Sequence, residues 1–234
     1  MLQKYESFLE QVLCNFLLLQ AFKYSITPTI LNLEYLLKRG FDVLFALTIL
    51  FFVMPWLVSI LWILNLFFNA GPLFFSQHRE GKDRKLFWCH KFRTFPRNAI
   101  HPKPGEAITT PIPWLGTFLR LSGIDELPQV INVIKEEMSL VGPRPHLPVY
   151  NVYYQSVVGQ EKMDKRHDVL PGLTGLAQIR GYRGDTPSSA SIHNRFNSDI
   201  EYINRQSFHL DLIIIINSFR IAIHATFCRI FKIR

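Results

Sequence analysis

The longest apolar stretch of the chain runs from Val43 to Phe68 and contains no charged side chain. Lysine, arginine, aspartate and glutamate are absent from the whole interval between Asp42 and Arg79. Because about 20 apolar residues suffice to cross the hydrocarbon core of a bilayer, this pattern predicts a membrane helix. Pro55 lies near its middle, where a proline removes one helix hydrogen bond and clashes with the preceding turn, so we expect a kink or break there.

Basic residues flank this segment on both sides. They are Lys38 and Arg39 before it, and Arg79, Lys82, Arg84 and Lys85 after it. Lysine and arginine favour the cytoplasmic side of a membrane, so a spanning helix would leave one cluster on the disfavoured side. A re-entrant helix that bends at Pro55 and returns would keep both clusters on the same side. The residues alone leave both arrangements open, because prolines also occur in true spans.

Two further segments mix apolar and basic residues. Residues 1–37 carry apolar clusters broken by Lys23 and Pro28, which predict an interfacial helix pair or part of a longer membrane region. Residues 212–234 interleave isoleucine and phenylalanine with basic side chains, as in a helix on an anionic membrane surface; a packed core helix is the alternative. From the residues, the predicted organisation is a membrane-associated segment 1–37, a membrane helix 38–70, a polar domain 71–211 and a basic amphipathic helix 212–234.

Composition agrees with a protein that lies partly in and partly on a bilayer. Of 234 residues, 48% are hydrophobic, and 26 basic against 18 acidic side chains give a net charge of +8. Such a charge favours anionic partners, namely lipid headgroups, nucleic acid or phosphorylated substrates. Nucleic acid is disfavoured, because outside the membrane segments the basic residues form no stripe with interleaved aromatics. The sequence also lacks a Walker A or GxGxxG motif, which argues against a P-loop kinase or a dinucleotide enzyme.

The polar middle of the chain contains an adjacent pair of carboxylates, Asp125 and Glu126, before an apolar stripe. The stripe has helical spacing and predicts an amphipathic helix over 127–138 with the carboxylates at its N-terminus. Pro128 fits the first turn of such a helix. A carboxylate there is favoured by the helix dipole, yet simple N-capping is the ordinary explanation for an acidic residue at this position.

The neighbours of this pair favour chemistry over capping. Arg120 precedes it, "SLVGPRP" after it presents Arg144, and "KFRT" places Lys91 and Arg93 two residues apart. A second Gly/Pro loop, "PGLTG", follows Arg166. Carboxylates, several arginines and glycine-rich loops are what phosphoryl transfer needs: a nucleophile or metal ligand, a charge clamp and N–H donors.

Five ordered blocks of the chain resemble the bacterial sugar transferase family, the monotopic polyprenyl-phosphate phosphoglycosyltransferases. The blocks are "KRGFD" (38–42), "GPLFFSQHREGKDRKLFWCHKFRT" (71–94), "FLRLSGIDELPQVINVIKEEMSLVGPRP" (118–145), "RHDVLPGLTGLAQIRG" (166–181) and "DIEYINRQSFHLDLIII" (199–215). The resemblance implies a mainly α fold with minor β structure (α+β), a re-entrant helix broken at Pro55, and interfacial amphipathic helices. It also implies that 38–70 is a re-entrant membrane helix and 71–211 a cytoplasmic catalytic domain. The chain would lie at the bacterial inner membrane with its active site facing the cytoplasm.

The same resemblance implies a mechanism. Asp125 would attack the sugar-bearing phosphorus of a UDP-sugar and release UMP, leaving a phosphosugar on the enzyme. Glu126 would hold Mg²⁺. The basic residues expected near phosphates are Lys91, Arg93, Arg120, Arg144 and Arg166. Undecaprenyl phosphate would then accept the sugar-1-phosphate, as the first step of exopolysaccharide, capsule or O-antigen synthesis.

Departures from the family pattern and one further stretch refine this expectation. Met54, not serine, precedes Pro55, and Glu136 stands where the family usually has glycine. The stretch "GYRGDT" (181–186) is most similar to members that transfer glucose-1-phosphate; galactose or an N-acetylated sugar is the alternative. The chain resembles the catalytic unit alone. An inactive membrane scaffold and a homodimer also stay open.

Overall fold

A computed structural model describes residues 31–68, 71–96, 99, 110–183 and 188–231. The chain divides into two compact units, 1–38 and 39–234. Most of the N-terminal segment 1–37, for which the sequence predicts interfacial or membrane helices, lies outside the described residues. The described part is mostly helical with four short strands, which confirms the predicted α+β class.

The apolar segment forms one helical run with an irregular middle. Helix α1 (Leu31–Thr48) continues into a π-helical turn (Ile49–Val53) and then into α2 (Met54–Phe68). The π turn is widened because Pro55 has no N–H for the carbonyl four residues earlier and its ring would clash with that carbonyl. The Met54 N–H instead bonds to the Ile49 carbonyl, five residues back. The predicted irregularity is thus present, whereas the re-entrant path stays a prediction.

One face of this run packs against the protein and the other is exposed. Val43, Ala46, Met54 and Leu61 are buried. The opposite face exposes large apolar side chains, namely Phe51, Phe52, Trp56, Ile60, Ile63 and Phe67. A surface of this kind is typical of contact with lipid.

Polar contacts fix both ends of the buried face. At the first end, Arg39 donates a hydrogen bond of 2.8 Å to the Val133 carbonyl, and the Ser139 hydroxyl donates one of 2.6 Å to Asp42. At the second end, Asn65 donates a hydrogen bond of 2.7 Å to the Gly71 carbonyl.

A β-hairpin follows. Strands β1 (Phe74–Glu80) and β2 (Leu86–Phe92) pair antiparallel, with Phe74 opposite Phe92 and Glu80 opposite Leu86. Alternation along β2 buries Phe87 and Cys89 and leaves Trp88 exposed.

Helix α3 (Trp114–Ser122) ends at Gly123, whose φ of 75° is readily adopted by glycine. A 3₁₀ turn (Ile124–Gln129) and a short helix α4 (Val130–Ile134) come next. The predicted helix over 127–138 was therefore too long. It ends because Glu136 has a φ of 61° and turns the backbone toward strand β3 (Ser139–Val141). This is the position where the family usually has glycine, the residue that adopts such a φ without steric cost.

The two Gly/Pro loops of the sequence lie side by side. Strand β3 pairs parallel with β4 (Gly172–Thr174). A Cβ on Gly172 would lie 2.0 Å from the Gly142 nitrogen, so glycine is required for the backbones to approach this closely.

Five helices complete the described fold: α5 (Pro148–Val158), α6 (Gln160–Arg166), α7 (Leu176–Ile179), α8 (Ser189–Arg205) and α9 (Phe208–Phe231). Near its start, α9 buries Asp211 and Ile214. Its later apolar residues, among them Phe219, Ile223 and Phe227, are exposed, which favours a membrane surface over a packed core. By length and composition, two helical stretches, Leu33–Phe67 and Phe208–Arg229, are long and apolar enough to cross a membrane.

Candidate active site

Asp125 and Glu126 lie in the 3₁₀ turn between Gly123 and α4, and each is only 5% exposed. Gly123 occupies the N-cap position of this turn, and no side chain caps either the turn or α4 in the described structure. The capping explanation therefore fails. The buried position of two adjacent carboxylates needs another reason.

Glu126 is surrounded by cations from three separate parts of the chain. The Arg144 guanidinium binds it through both nitrogens, at 2.5 and 3.1 Å, and Lys91 Nζ lies 2.6 Å from Oε1. Arg183 approaches Oε2 at 3.6 Å. Burial by itself would raise the pKa of Glu126, but Arg144 and Lys91 outweigh burial and hold this pKa well below its usual range. Glu126 is thus a permanently charged centre that organises the arginines.

Asp125 has the opposite character. Burial, and then the charge of Glu126, raise its pKa to about 6, against the lowering effects of Lys91, Arg120 and Arg183. Its buried Oδ1 has no hydrogen-bond partner among the described residues. Near neutral pH this carboxylate is mostly ionised yet poorly solvated, which is how a carboxylate becomes an effective nucleophile.

The structure brings three of the sequence-predicted basic residues to Asp125 and Glu126 or close to them. Lys91 comes from β2, Arg144 from the loop after β3, and Arg120 from α3, where its guanidinium lies 5.0 Å from the centre of the Phe95 ring. The charge of Arg120 lowers the pKa of Asp125, which indicates that Arg120 lies close to the pair.

Arg93 and Arg166, predicted as phosphate-binding, lie in different surroundings. Arg93 donates to the Pro72 carbonyl at 2.7 Å and to the Phe95 carbonyl at 3.3 Å. Arg166 is 4% exposed, pairs with Asp199 at 2.8 Å and donates to the backbone carbonyl of Arg144. Both guanidinium groups serve the protein framework in this structure.

Arg183 belongs to the site and was missed as a site residue in the sequence. Its guanidinium faces Glu126 and also lies over Gly123, where an added Cβ would come within 3.2 Å of it. The signal in the sequence was the "GYRGDT" stretch, which contains Arg183 but which served there only to predict the identity of the sugar.

The fit of Mg²⁺ can be judged from the donor set. Within the described ranges, no three His, Cys, Asp or Glu side chains come together as a metal site. Mg²⁺ commonly uses one or two carboxylates and completes its shell with water and substrate phosphates, so such a cluster is not required. The partnerless Oδ1 of Asp125 and the carboxylate of Glu126 are compatible with this pattern, provided that Lys91 or Arg144 gives way at Glu126.

Comparison with known proteins shows which family the chain matches. A model described as "Bacterial sugar transferase" matches residues 33–225. A UDP-glucose:undecaprenyl-phosphate glucose-1-phosphate transferase of Xanthomonas campestris pv. campestris is 40% identical over 154 residues, 63% of this chain and 31% of that protein. The protein of that name from Escherichia coli K12 is 38% identical over 182 residues, 77% of this chain and 39% of the relative.

A shorter relative matches over most of its length. The exopolysaccharide production protein PSS of Rhizobium leguminosarum bv. phaseoli is 36% identical over 190 residues, which cover 78% of this chain and 93% of the relative. The chain thus spans 31% and 39% of the two glucose-1-phosphate transferases and 93% of PSS. With the family model covering residues 33–225, the chain belongs to the bacterial sugar transferase family.

Proposed function

We propose that this chain transfers a sugar-1-phosphate from a UDP-sugar to undecaprenyl phosphate and releases UMP. The observation that carries the proposal is Asp125, a buried carboxylate with a partnerless oxygen and a pKa near 6, beside a Glu126 that stays charged. The names of the relatives support the donor and the acceptor.

Two displacements at one phosphorus account for the reaction. In the first, an oxygen of Asp125 forms a bond to the sugar-bearing phosphorus, the bond from that phosphorus to the bridging oxygen breaks, and UMP leaves. In the second, an oxygen of undecaprenyl phosphate bonds to the same phosphorus and the Asp125 carboxylate is released. The products are UMP and an undecaprenyl diphosphate sugar, and no external oxidant or proton donor is needed.

The cations of the site supply the electrostatic stabilisation of the two displacements. Arg144 and Lys91 lie within 3.1 Å of Glu126, and Arg120 and Arg183 lower the pKa of Asp125. A diphosphate entering this pocket would meet preorganised positive charge where negative charge develops in the transition state. Mg²⁺, which we propose is held by Glu126 together with the diphosphate, would neutralise further charge on the leaving UMP.

Glucose is the proposed sugar. The relatives from X. campestris and E. coli are named for UDP-glucose, at 40% and 38% identity, whereas a relative from Aeromonas hydrophila named for UDP-N-acetylgalactosamine is 32% identical. The proposed location is the cytoplasmic face of the inner membrane. The exposed apolar faces of α2 and α9 support contact with a membrane, and the basic residues on both sides of the apolar segment favour its cytoplasmic side.

The experiment that tests the function uses the whole chain in detergent or vesicles with undecaprenyl phosphate and a panel of UDP-sugars. UMP release is measured, and intact-mass spectrometry with donor alone detects an adduct of one hexose phosphate. We expect Asp125→Asn to abolish both signals, while the matched surface variant Asp168→Asn keeps them. Full activity of Asp125→Asn would overturn the nucleophile, and no transfer from any donor by the wild type would favour an inactive scaffold.

A further inference from the structure

A cavity of about 280 Å³ opens beside the candidate active site. Helix α1 contributes Phe45 and Ile49 to its wall, and α9 contributes Ile215, Phe219 and Ala222. These side chains make the wall apolar over most of its area. One end of the same cavity reaches Glu126 and Arg183, beside the buried nucleophile.

The polar end carries excess positive charge. At least four cations, Lys91, Arg120, Arg144 and Arg183, act on two carboxylates, Asp125 and Glu126, so positive charge exceeds negative charge there. Arg183 is the cation that lines the cavity, and a third of its side chain is exposed. An occupant that suits both parts is apolar along its length and negatively charged at one end.

The open side of the cavity leads along the lipid-facing surface. Phe219 and Ile221 line the cavity and are also 55% and 45% exposed. An apolar chain that leaves the cavity past Phe219 would therefore continue along surface suited to a bilayer.

We propose that this cavity binds the phosphate-proximal isoprene units of the polyprenyl phosphate acceptor, with Arg183 on its phosphate. A phosphomonoester carries about −1.5 to −2 charges near neutral pH, more than the single charge of a phosphodiester lipid, and this matches the excess of cations. A single prenyl chain also suits a cavity near the lower end of the 300–1,000 Å³ typical of ligand sites. The inference rests on the proposed function and locates the acceptor within it.

The two displacements allow the acceptor site to be tested separately from the donor site. Exchange of labelled UMP into the UDP-sugar needs only the first displacement and no acceptor. Overall turnover, measured against undecaprenyl phosphate concentration, needs both. A change confined to the acceptor site alters the second measurement and leaves the first unchanged.

Ala222→Trp places a large side chain in the cavity, and Ile223→Trp, at the next position of the same helix and facing away from the cavity, is the matched control. We expect Ala222→Trp to lower kcat/KM for undecaprenyl phosphate about tenfold or more, since one misplaced group in an apolar pocket costs that much. UMP exchange should stay within about twofold of wild type, which also shows that the variant is folded. Ile223→Trp should leave both unchanged.

Competition experiments distinguish undecaprenyl phosphate from other compounds that carry a phosphate group. Vesicles doped with phosphatidic acid, a two-chain phosphomonoester, should inhibit weakly, and inorganic phosphate should not compete at equal concentration. Unchanged kcat/KM in Ala222→Trp, or phosphatidic acid competing as well as undecaprenyl phosphate does, overturns the acceptor site. Absence of UMP exchange in the wild type counts instead against the proposed function, and the acceptor site then falls with it.

Discussion

Arg166 donates a hydrogen bond to the backbone carbonyl of Arg144, so a buried arginine holds the residue whose side chain binds Glu126. A second arginine binds the loop that carries Arg144, because Arg79 donates a hydrogen bond of 3.0 Å to the carbonyl of Pro145. The geometry at Glu126 therefore depends on residues that do not touch it. We infer that Arg166 is a positioning residue for Arg144.

Replacing Arg166 tests this relationship. Arg166→Gln removes the guanidinium that pairs with the buried Asp199 and leaves it the charge of Arg195, which should cost about 3–5 kcal/mol of stability and lower turnover. The double variant Arg166→Met/Asp199→Leu removes both charges and should regain much of the thermal stability, measured as Tm in detergent. If Arg166 positions Arg144, UMP exchange stays low in the double variant. Recovery of exchange together with Tm would show a purely structural role, and the surface variant Arg180→Gln serves as the control for losing an arginine.

The pKa of Asp125 predicts how activity depends on pH. The ionised carboxylate is the nucleophile, so the rate of UMP exchange should rise with pH through about 6 and then level off. Lys91 lowers this pKa, and Lys91→Met should therefore move the rising limb to higher pH as well as slow the reaction. Lys162→Met, at a partly exposed lysine whose Nζ bonds to Asn197, should leave the profile unchanged. If the rising limb of the pH profile keeps its position in Lys91→Met, the charge of Lys91 does not lower the pKa of Asp125.

Arg183 provides a test of the residue that the sequence did not single out. Arg183→Gln removes a cation that faces Glu126 and lines the cavity, so kcat/KM for undecaprenyl phosphate should fall about tenfold or more, a loss of about 1.4 kcal/mol. Arg180→Gln is again the matched control, because Arg180 pairs with Glu201 at the surface, where such a pair contributes about 0–1 kcal/mol. Equal effects of the two substitutions would remove Arg183 from the site.

The sequence predicted the carboxylate pair and most of its cations, but it did not separate cations of the site from cations of the framework. Lys91 and Arg93 are two apart and would share one face of a strand. Strand β2 ends at Phe92, and the Arg93 N–H still bonds to the Leu73 carbonyl, but the Arg93 guanidinium turns to the carbonyls of Pro72 and Phe95. The difference is set by backbone carbonyls that the tertiary structure brings within reach of Arg93, which the local sequence pattern does not show.

The packing face of the apolar helix was also hidden in the sequence. A segment that is apolar all round carries no periodic signal, so its buried side, Val43, Ala46, Met54 and Leu61, looks like its lipid-facing side. The end of the predicted helix over 127–138 had a signal, because Glu136 stands where the family usually has glycine. A position that favours glycine predicts a positive φ, and such a φ ends a helix.

His146 leads to a prediction about stability. It is 5% exposed, and burial, followed by the charges of Arg166 and Arg195, holds its pKa well below 6.5; Arg79 and Arg144 act in the same direction. The folded protein therefore keeps His146 neutral, while the unfolded chain binds a proton below about pH 6.5. Stability from this residue is fully present above that pH and declines by about 1.4 kcal/mol per unit as pH falls below it.

Chemical unfolding of the whole chain in detergent at pH 7 and pH 5 measures this slope. His146→Gln should lose stability at pH 7, because Gln does not fill the place of a ring packed on Tyr154, yet it should show a shallower decline toward pH 5. His209→Gln, at an exposed histidine, should keep the wild-type slope. The carboxylates titrate in all three proteins, so the difference between slopes isolates the histidine. Parallel curves for wild type and His146→Gln would mean that His146 takes up its proton in the folded state, against the burial and the arginines that surround it.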